Sequence, residues 1–303
     1  PVGTQAVIEF FAATAEEQPQ ERDATAEESP KTRIATLTAR SDNFADIALF
    51  DLAPIPTMEE LLKNVEWRIM DGNIGYLRIY HVIHFDDYAQ YPTEVTEIIA
   101  QALEAFNAAG VNSLILDLRG NRGGSDQAAA DISGHFAKES SIYERTAWYN
   151  ASSGRFDYAH SDLFGQTFEL GDEPLWVEPR QPHFWGNIAV LVNPATISSG
   201  EGLAMAIGRQ PNATVMGFYG THGSFGLVFW PIAMPEGISF QFPIGRSLDA
   251  HGVIQIDSDA SGMGGVQPEI RIPRTWQNIA AYASGKDVEL EFARDWLLNQ
   301  DPR

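Results

Sequence analysis

The chain has 303 residues, 44% of them hydrophobic and 11% aromatic, enough for one large domain or two smaller ones around a sizeable core. Its 20 Lys and Arg against 41 Asp and Glu leave a formal net charge of −21, which repels phosphate backbones and anionic lipid and sets nucleic acid and membrane surfaces aside as partners. Cysteine is absent, which removes disulfides, thiol catalysis and Cys-ligated metal sites, and is compatible with an oxidising compartment.

No apolar run reaches the roughly 18 residues of a membrane helix, so no membrane insertion is expected. Pro1 opens without a basic or apolar leader segment, so no signal peptide is expected in this chain, which reads as if it begins inside a domain. Residues 5–11 (QAVIEFF), 32–39 (TRIATLTA) and 45–52 (ADIALFDL) have strand composition. Between the first two, 12–31 is polar and rich in Glu and Ala, and is expected to be an acidic disordered insert. Residues 53–64 read as a linker with a short helix. VEWRIM (65–70) and NIGYLRIYHV (73–82) read as strands flanking a DG turn.

In 93–110, apolar residues at 95, 98, 99, 102, 103 and 106 have helical spacing, with Gly110 as the stop. VNSLILDL (111–118) is a nearly continuous apolar strand of the kind buried on both faces. The glycine-rich RGNRGG (119–124) follows, and Ser125 or Asp126 can cap the next helix, 126–137. Residues 139–186 are irregular, with aromatics and short strands. NIAVLVNP (187–194) is a second buried strand and 198–210 a second helix. Short apolar runs broken by Gly and Pro in 213–256 suggest antiparallel strands, and 288–300 is a closing amphipathic helix. The strand–helix alternation in the middle predicts an α/β core.

Two bends carry the chemistry: RGNRGG, and TISSGE at 196–201. Each joins the C-terminal end of a strand to the N-terminus of a helix, where ligands bind in open α/β sheets. Helix N-termini offer unpaired N–H groups with partial positive charge, and glycine lets a backbone approach a substrate closely. These are the parts of an oxyanion hole, and a serine in the first turn of the second helix is placed to attack the same carbonyl. On this ground alone Ser198 and Ser199 are equal candidates, and SSGE also fits a capping box through Glu201. GxxxxGK[ST] and GxGxxG spacings are absent, so no nucleotide cofactor is expected. His81 and His84 read as ordinary strand or loop residues; without a supporting carboxylate motif no metal site is expected.

LILDLRGNRGG followed by VLVNPATISSGEGLA resembles the tail-specific, or C-terminal-processing, serine peptidases. So do NIGYLRI (73–79), VMGFYGTHGS (215–224) and GGVQPEIRIP (264–273). The resemblance covers about 65–275 in the right order. It implies a crotonase/Clp-protease-like β-α core, with residues 1–52 as a partial PDZ-type β module, 53–64 as linker and 65–303 as the catalytic domain. It places the nucleophile on Ser198, three residues before the acidic residue of S-x-x-E, and the oxyanion on Ser199 with Gly123 or Gly124. It implies a peptide or protein substrate, no cofactor, and a periplasmic or extracellular setting.

The proton acceptor departs from the family. Where the bacterial processing branch has a lysine, this chain has Thr221-His222-Gly223-Ser224, so Ser224 stands at the lysine position. The only lysines are Lys31, Lys63, Lys138 and Lys286, none of them in a motif. The tricorn-like branch takes its histidine from a region before the PDZ-type domain, and a glutamate where this chain has Gly262. His222 is the one titratable base inside a motif, and it joins Ser198 and Ser224 in the candidate catalytic set. The rival expectation is a family member that has lost its base and serves as a peptide- or ligand-binding scaffold.

Overall fold

The computed structural model describes residues 5–11, 32–38, 64–82, 95–158, 160–163, 166–169, 171, 173–228, 232–233, 235, 238–240, 242–257 and 265–300. The expectations for 12–31, 45–52 and 53–63, and for His84 and Gly262, fall outside these residues. The chain separates into two compact units, Pro1–Leu49 and Phe50–Arg303. In the first, β1 (Gln5–Phe11) pairs antiparallel with β2 (Thr32–Thr38), with Gln5 opposite Thr38 and Phe11 opposite Thr32.

The second unit opens with β3 (Val65–Met70) and β4 (Ile74–Ile79), an antiparallel pair. Helix α1 (Val95–Ala108) follows, then β5 (Ser113–Asp117) and α2 (Asp126–Gly134). The spacing of α1 does what its periodicity requires: Val95, Ile99, Ala102, Leu103 and Phe106 are buried along one stripe. Ser125 caps α2, its hydroxyl accepting the Ala128 N–H at 3.2 Å. Next come β6 (Ser141–Asn150), β7 (Arg155–Asp157), β8 (His160–Leu163), β9 (Gln166–Glu169) and β10 (Leu175–Val177). Strand β11 (Asn187–Leu191), helix α3 (Ser199–Gly208) and β12 (Ala213–Gly217) return to the core. Then follow β13 (Gly226–Val228), β14 (Ile232–Ala233), β15 (Ser239–Phe240), β16 (Pro243–Leu248) and β17 (Ile270–Arg271). Two helices, α4 (Trp276–Ala283) and α5 (Val288–Leu298), finish the unit.

The core sheet has the order β17-β12-β11-β5-β4-β3 and is parallel except for β3. Leu114, Ile115 and Leu116 of β5 and Ile188 to Leu191 of β11 are fully buried, because helices cover both faces. Leu103, Phe106, Ala129, Leu203 and Ile207 of α1, α2 and α3 pack on one face. Ala293 and Leu297 of α5 pack with Tyr76, Ile115, Leu191 and Met216 on the other. Each fully buried Leu or Ile contributes about 1.5–3 kcal/mol, so these two layers dominate the stability of the unit.

The second sheet is built around β6, which pairs antiparallel with β7, β10 and β16. The expectation of antiparallel strands across 213–256 holds for β13 to β16 but not for β12, which runs parallel to β11. Helix α3 carries the chain back along the sheet, so the strand after it points the same way as the strand before. Among the described residues no helix is long and apolar enough to cross a membrane.

Candidate active site

The two glycine-bearing bends converge. Thr196 donates its hydroxyl to the Leu118 carbonyl at 2.8 Å, and the Gly120 N–H reaches Asn193 Oδ1 at 2.9 Å. The Ile197 N–H bonds the Asn121 carbonyl at 2.9 Å, and the Ser199 hydroxyl donates to the Gly124 carbonyl at 3.0 Å. The contact is closest at Gly123, where φ is +77° and a Cβ would lie 2.7 Å from Ser198 Cβ and 3.0 Å from the Ser199 nitrogen. Only glycine accepts both that dihedral and that approach. Buried Asn121 shapes the bend: its Nδ2 donates to Ile79 O at 2.8 Å and its Oδ1 takes the Gly123 N–H at 2.8 Å.

The backbone separates the two serines. Ser198 has φ +55° and ψ −133°, a left-handed strain that a non-glycine residue holds only where its surroundings impose it. Ser199 lies inside α3 and is 1% exposed, while Ser198 is half-buried. The N–H groups of Gly124 and Ser199 have no acceptor among the described residues, whereas that of Gly123 is engaged by Asn121.

Glu201 ties a third bend, residues 221–224, to the first two. Fully buried, it accepts the Ser198 N–H at 3.1 Å. It also takes the Thr221 hydroxyl at 2.6 Å, the Gly223 N–H at 2.6 Å, and the N–H and hydroxyl of Ser224 at 2.8 and 3.1 Å. Thr221 in turn holds the 264–273 stretch, accepting the Val266 N–H at 2.7 Å. The His222 N–H donates to the Thr196 carbonyl at 3.0 Å, two residues before Ser198, and its imidazole is exposed. The structure therefore brings Ser198, Ser199, Gly123, Gly124, His222 and Ser224 into one neighbourhood. His81 is buried, its Nε2 2.5 Å from Asn64 Oδ1, as befits a structural histidine.

A buried ionic cluster braces the first bend from below. Arg119 meets Asp117 at 2.7 Å, Asp287 at 2.7 Å and Glu289 at 3.1 Å. The Tyr76 hydroxyl donates to Asp117 at 2.9 Å, and Glu289 accepts the Phe218 N–H at 2.9 Å. Burial works to raise the Asp117 pKa, but the adjacent Arg119 guanidinium outweighs it and holds the carboxyl below its ordinary value. For Glu289 burial wins and the value is raised.

A cavity of about 450 Å³ opens beside the third bend, lined by Ser224, Phe156, Phe225, Ile254, Ile256 and Ser247 among others. Among the described residues no group of three or more His, Asp and Glu is placed to hold a metal ion. Sequence reasoning passed over Asn121, although it sits inside RGNRGG; its signal is an amide between glycines at the end of a buried strand. Glu201 was read only as a cap and a motif marker, and its hold on the third bend appears only in three dimensions.

Residues 73–272 match the model of peptidase family S41, and the chain belongs to that family. Similar solved structures include mature CPAF, at 17% identity and a TM-score of 0.57, covering 90% of this chain and 66% of that one. A protein from Parabacteroides merdae ATCC 43184 matches at 21% identity and a TM-score of 0.55, over 84% of this chain and 74% of that one. One from Bacteroides fragilis NCTC 9343 matches at 16% identity and a TM-score of 0.51, over 91% and 65%. At such identities the likeness is one of fold. No curated protein matches the chain.

Proposed function

We propose that the chain is a serine peptidase that cleaves flexible peptide or protein tails. The observation that carries this reading is the meeting of a strained Ser198 with two N–H groups, those of Gly124 and Ser199, that have no acceptor among the described residues. Ser198 Oγ attacks the scissile carbonyl carbon as its proton passes to His222. The resulting oxyanion is held by the N–H groups of Gly124 and Ser199. The C–N bond then breaks, the amine leaves with the proton, and water attacks the acyl-enzyme to release the acid and restore the hydroxyl. Gly123 contributes shape, its N–H being turned to Asn121. Ser224 contributes position, its hydroxyl being held by Glu201.

The cavity beside Ser224 supplies a subsite for an apolar substrate side chain, given its Phe and Ile walls. In the same reading residues 1–52 form a partial PDZ-type module, 53–64 a linker and 65–303 the catalytic domain, acting in the periplasm or outside the cell. A fluorophosphonate probe tests the chemistry: wild type is labelled and Ser198→Ala is not.

A second reading is a peptide-binding scaffold without turnover. It is favoured by one observation, the serine at the family's lysine position with its hydroxyl already engaged. It predicts peptide binding with no labelling between pH 6 and 9.

A further inference from the structure

The core sheet ends at β3, and among the described residues no strand pairs with its outer edge. One bond sets the direction of every peptide group along it. The Asn64 carbonyl accepts the Tyr80 N–H at 2.9 Å and so points toward β4. The Val65 N–H belongs to the same planar peptide and points the opposite way, outward. In an antiparallel pair this alternates residue by residue. Glu66, Arg68 and Met70 therefore turn their backbone groups to β4, while Val65, Trp67 and Ile69 turn theirs to the open edge. The pairing runs unbroken from Val65 opposite Ile79 to Met70 opposite Ile74, so no bulge interrupts the row.

Proteins commonly blunt such an edge with Lys, Pro or a bulge. VEWRIM has none of these. It presents Trp67 and Ile69 instead, 40% and 43% exposed. By the alternation of a strand they share the α1 face with Val65, and Trp67 meets Phe106 edge to face at 5.8 Å. On the other face Glu66 and Arg68 are half-exposed and joined at 3.0 Å. Arg68 lies over the Tyr76 ring at 4.0 Å, and Glu66 accepts the Tyr80 hydroxyl at 3.1 Å, so both charges are held in place.

This edge is complementary to itself. Laid antiparallel about a two-fold axis at Trp67, two copies set Val65 of one opposite Ile69 of the other, and Trp67 opposite Trp67. All of these face outward, so each N–H meets a carbonyl. The same register sets Glu66 of each copy opposite Arg68 of the other, at the non-hydrogen-bonded positions where cross-strand side chains come closest. A slip of one residue turns the backbone groups away from each other. The next registers that keep them matched set Glu66 against Glu66, or Arg68 against Arg68. Backbone direction and charge thus select a single alignment.

We propose that β3 pairs antiparallel with β3 of a second copy of this chain, giving a symmetric dimer with Trp67 on its axis. Such an interface uses up the edge in both copies. The opposite edge of the sheet, β17, has only two residues and offers no row of matching length.

Sedimentation equilibrium of the 303-residue chain at about 100 μM is expected to give twice the 33.4 kDa chain mass. Glu66→Arg and Arg68→Glu each set like charges opposite one another, and each is expected to weaken association at least about tenfold. Mixed in equal amounts, these two variants again set opposite charges across the axis, and the mixture is expected to recover the doubled mass, which also shows that both fold. Ile69→Pro removes an outward N–H while leaving the ladder to β4 whole, and is expected to give the single-chain mass. A single-chain mass for wild type overturns the proposal, as does a doubled mass that Ile69→Pro and both charge variants retain. A mixture that stays at the single-chain mass overturns the register, and a mass beyond two copies overturns the closed pair.

Discussion

The backbone of Gly123 lies against the side chain of Ser198, so close that a Cβ on the glycine would fall 2.7 Å from the serine Cβ. Gly123→Ala therefore meets two costs, a left-handed φ that costs about 1–2 kcal/mol in an L-residue and a collision that pushes the bends apart. The expected result is a folded protein whose fluorophosphonate labelling is slowed at least about tenfold, since oxyanion donors act only in place. Labelling rate and urea midpoint, measured together, check it; an unchanged rate removes the bend from the site.

Glu201 gathers five donors from Ser198, Thr221, Gly223 and Ser224. In Glu201→Gln one acceptor oxygen becomes an NH2 group that faces N–H donors. Buried donors left unmatched cost about 1–3 kcal/mol each, so thermal or urea unfolding should show a loss of at least that size. Hydrogen exchange should quicken at 221–224 before it does in the core strands.

Arg119 is 2% exposed and serves three carboxylates. Arg119→Met leaves them uncompensated, and breaking a buried pair in this way costs about 3–5 kcal/mol. The pH dependence has a definite sign. The wild-type Asp117 pKa is lowered, so its contribution is present above the ordinary carboxylate range and lost as pH falls through the folded value. In the variant the desolvated carboxyls favour protonation, so acidification relieves the strain. The stability gap between the two proteins should narrow as pH falls from 7 to 4; a gap that widens contradicts the cluster's role.

His222 has an exposed ring and a backbone anchored to Thr196. If it takes the Ser198 proton, His222→Ala loses about 10²- to 10⁴-fold in turnover, with stability unchanged because the ring is on the surface. Full activity of that variant would assign the proton to another group.

Much of this was legible in the residues. The buried strands 111–118 and 187–194, each running through a bend into a helix, fixed the parallel core and the meeting of RGNRGG with TISSGE. What periodicity could not separate was Ser198 from Ser199, because the difference is a dihedral angle and not a side chain. Strand β12 was misjudged in direction because its short apolar run is followed by Gly-rich antiparallel segments, and only the covering helix α3 makes it parallel. Helix α4 escaped notice, although Trp276, Ile279, Ala280 and Ala283 have helical spacing; none of its residues is buried.

The Arg119 cluster gives the closing helix α5 a reach beyond its own packing. Asp287, the residue that caps α5, and Glu289 in its first turn clasp a guanidinium one position before the RGNRGG glycines begin. Prying that helix loose would leave Arg119 with Asp117 alone of its three carboxylates, so a disturbance at α5 is felt at the glycine bend as an electrostatic fault.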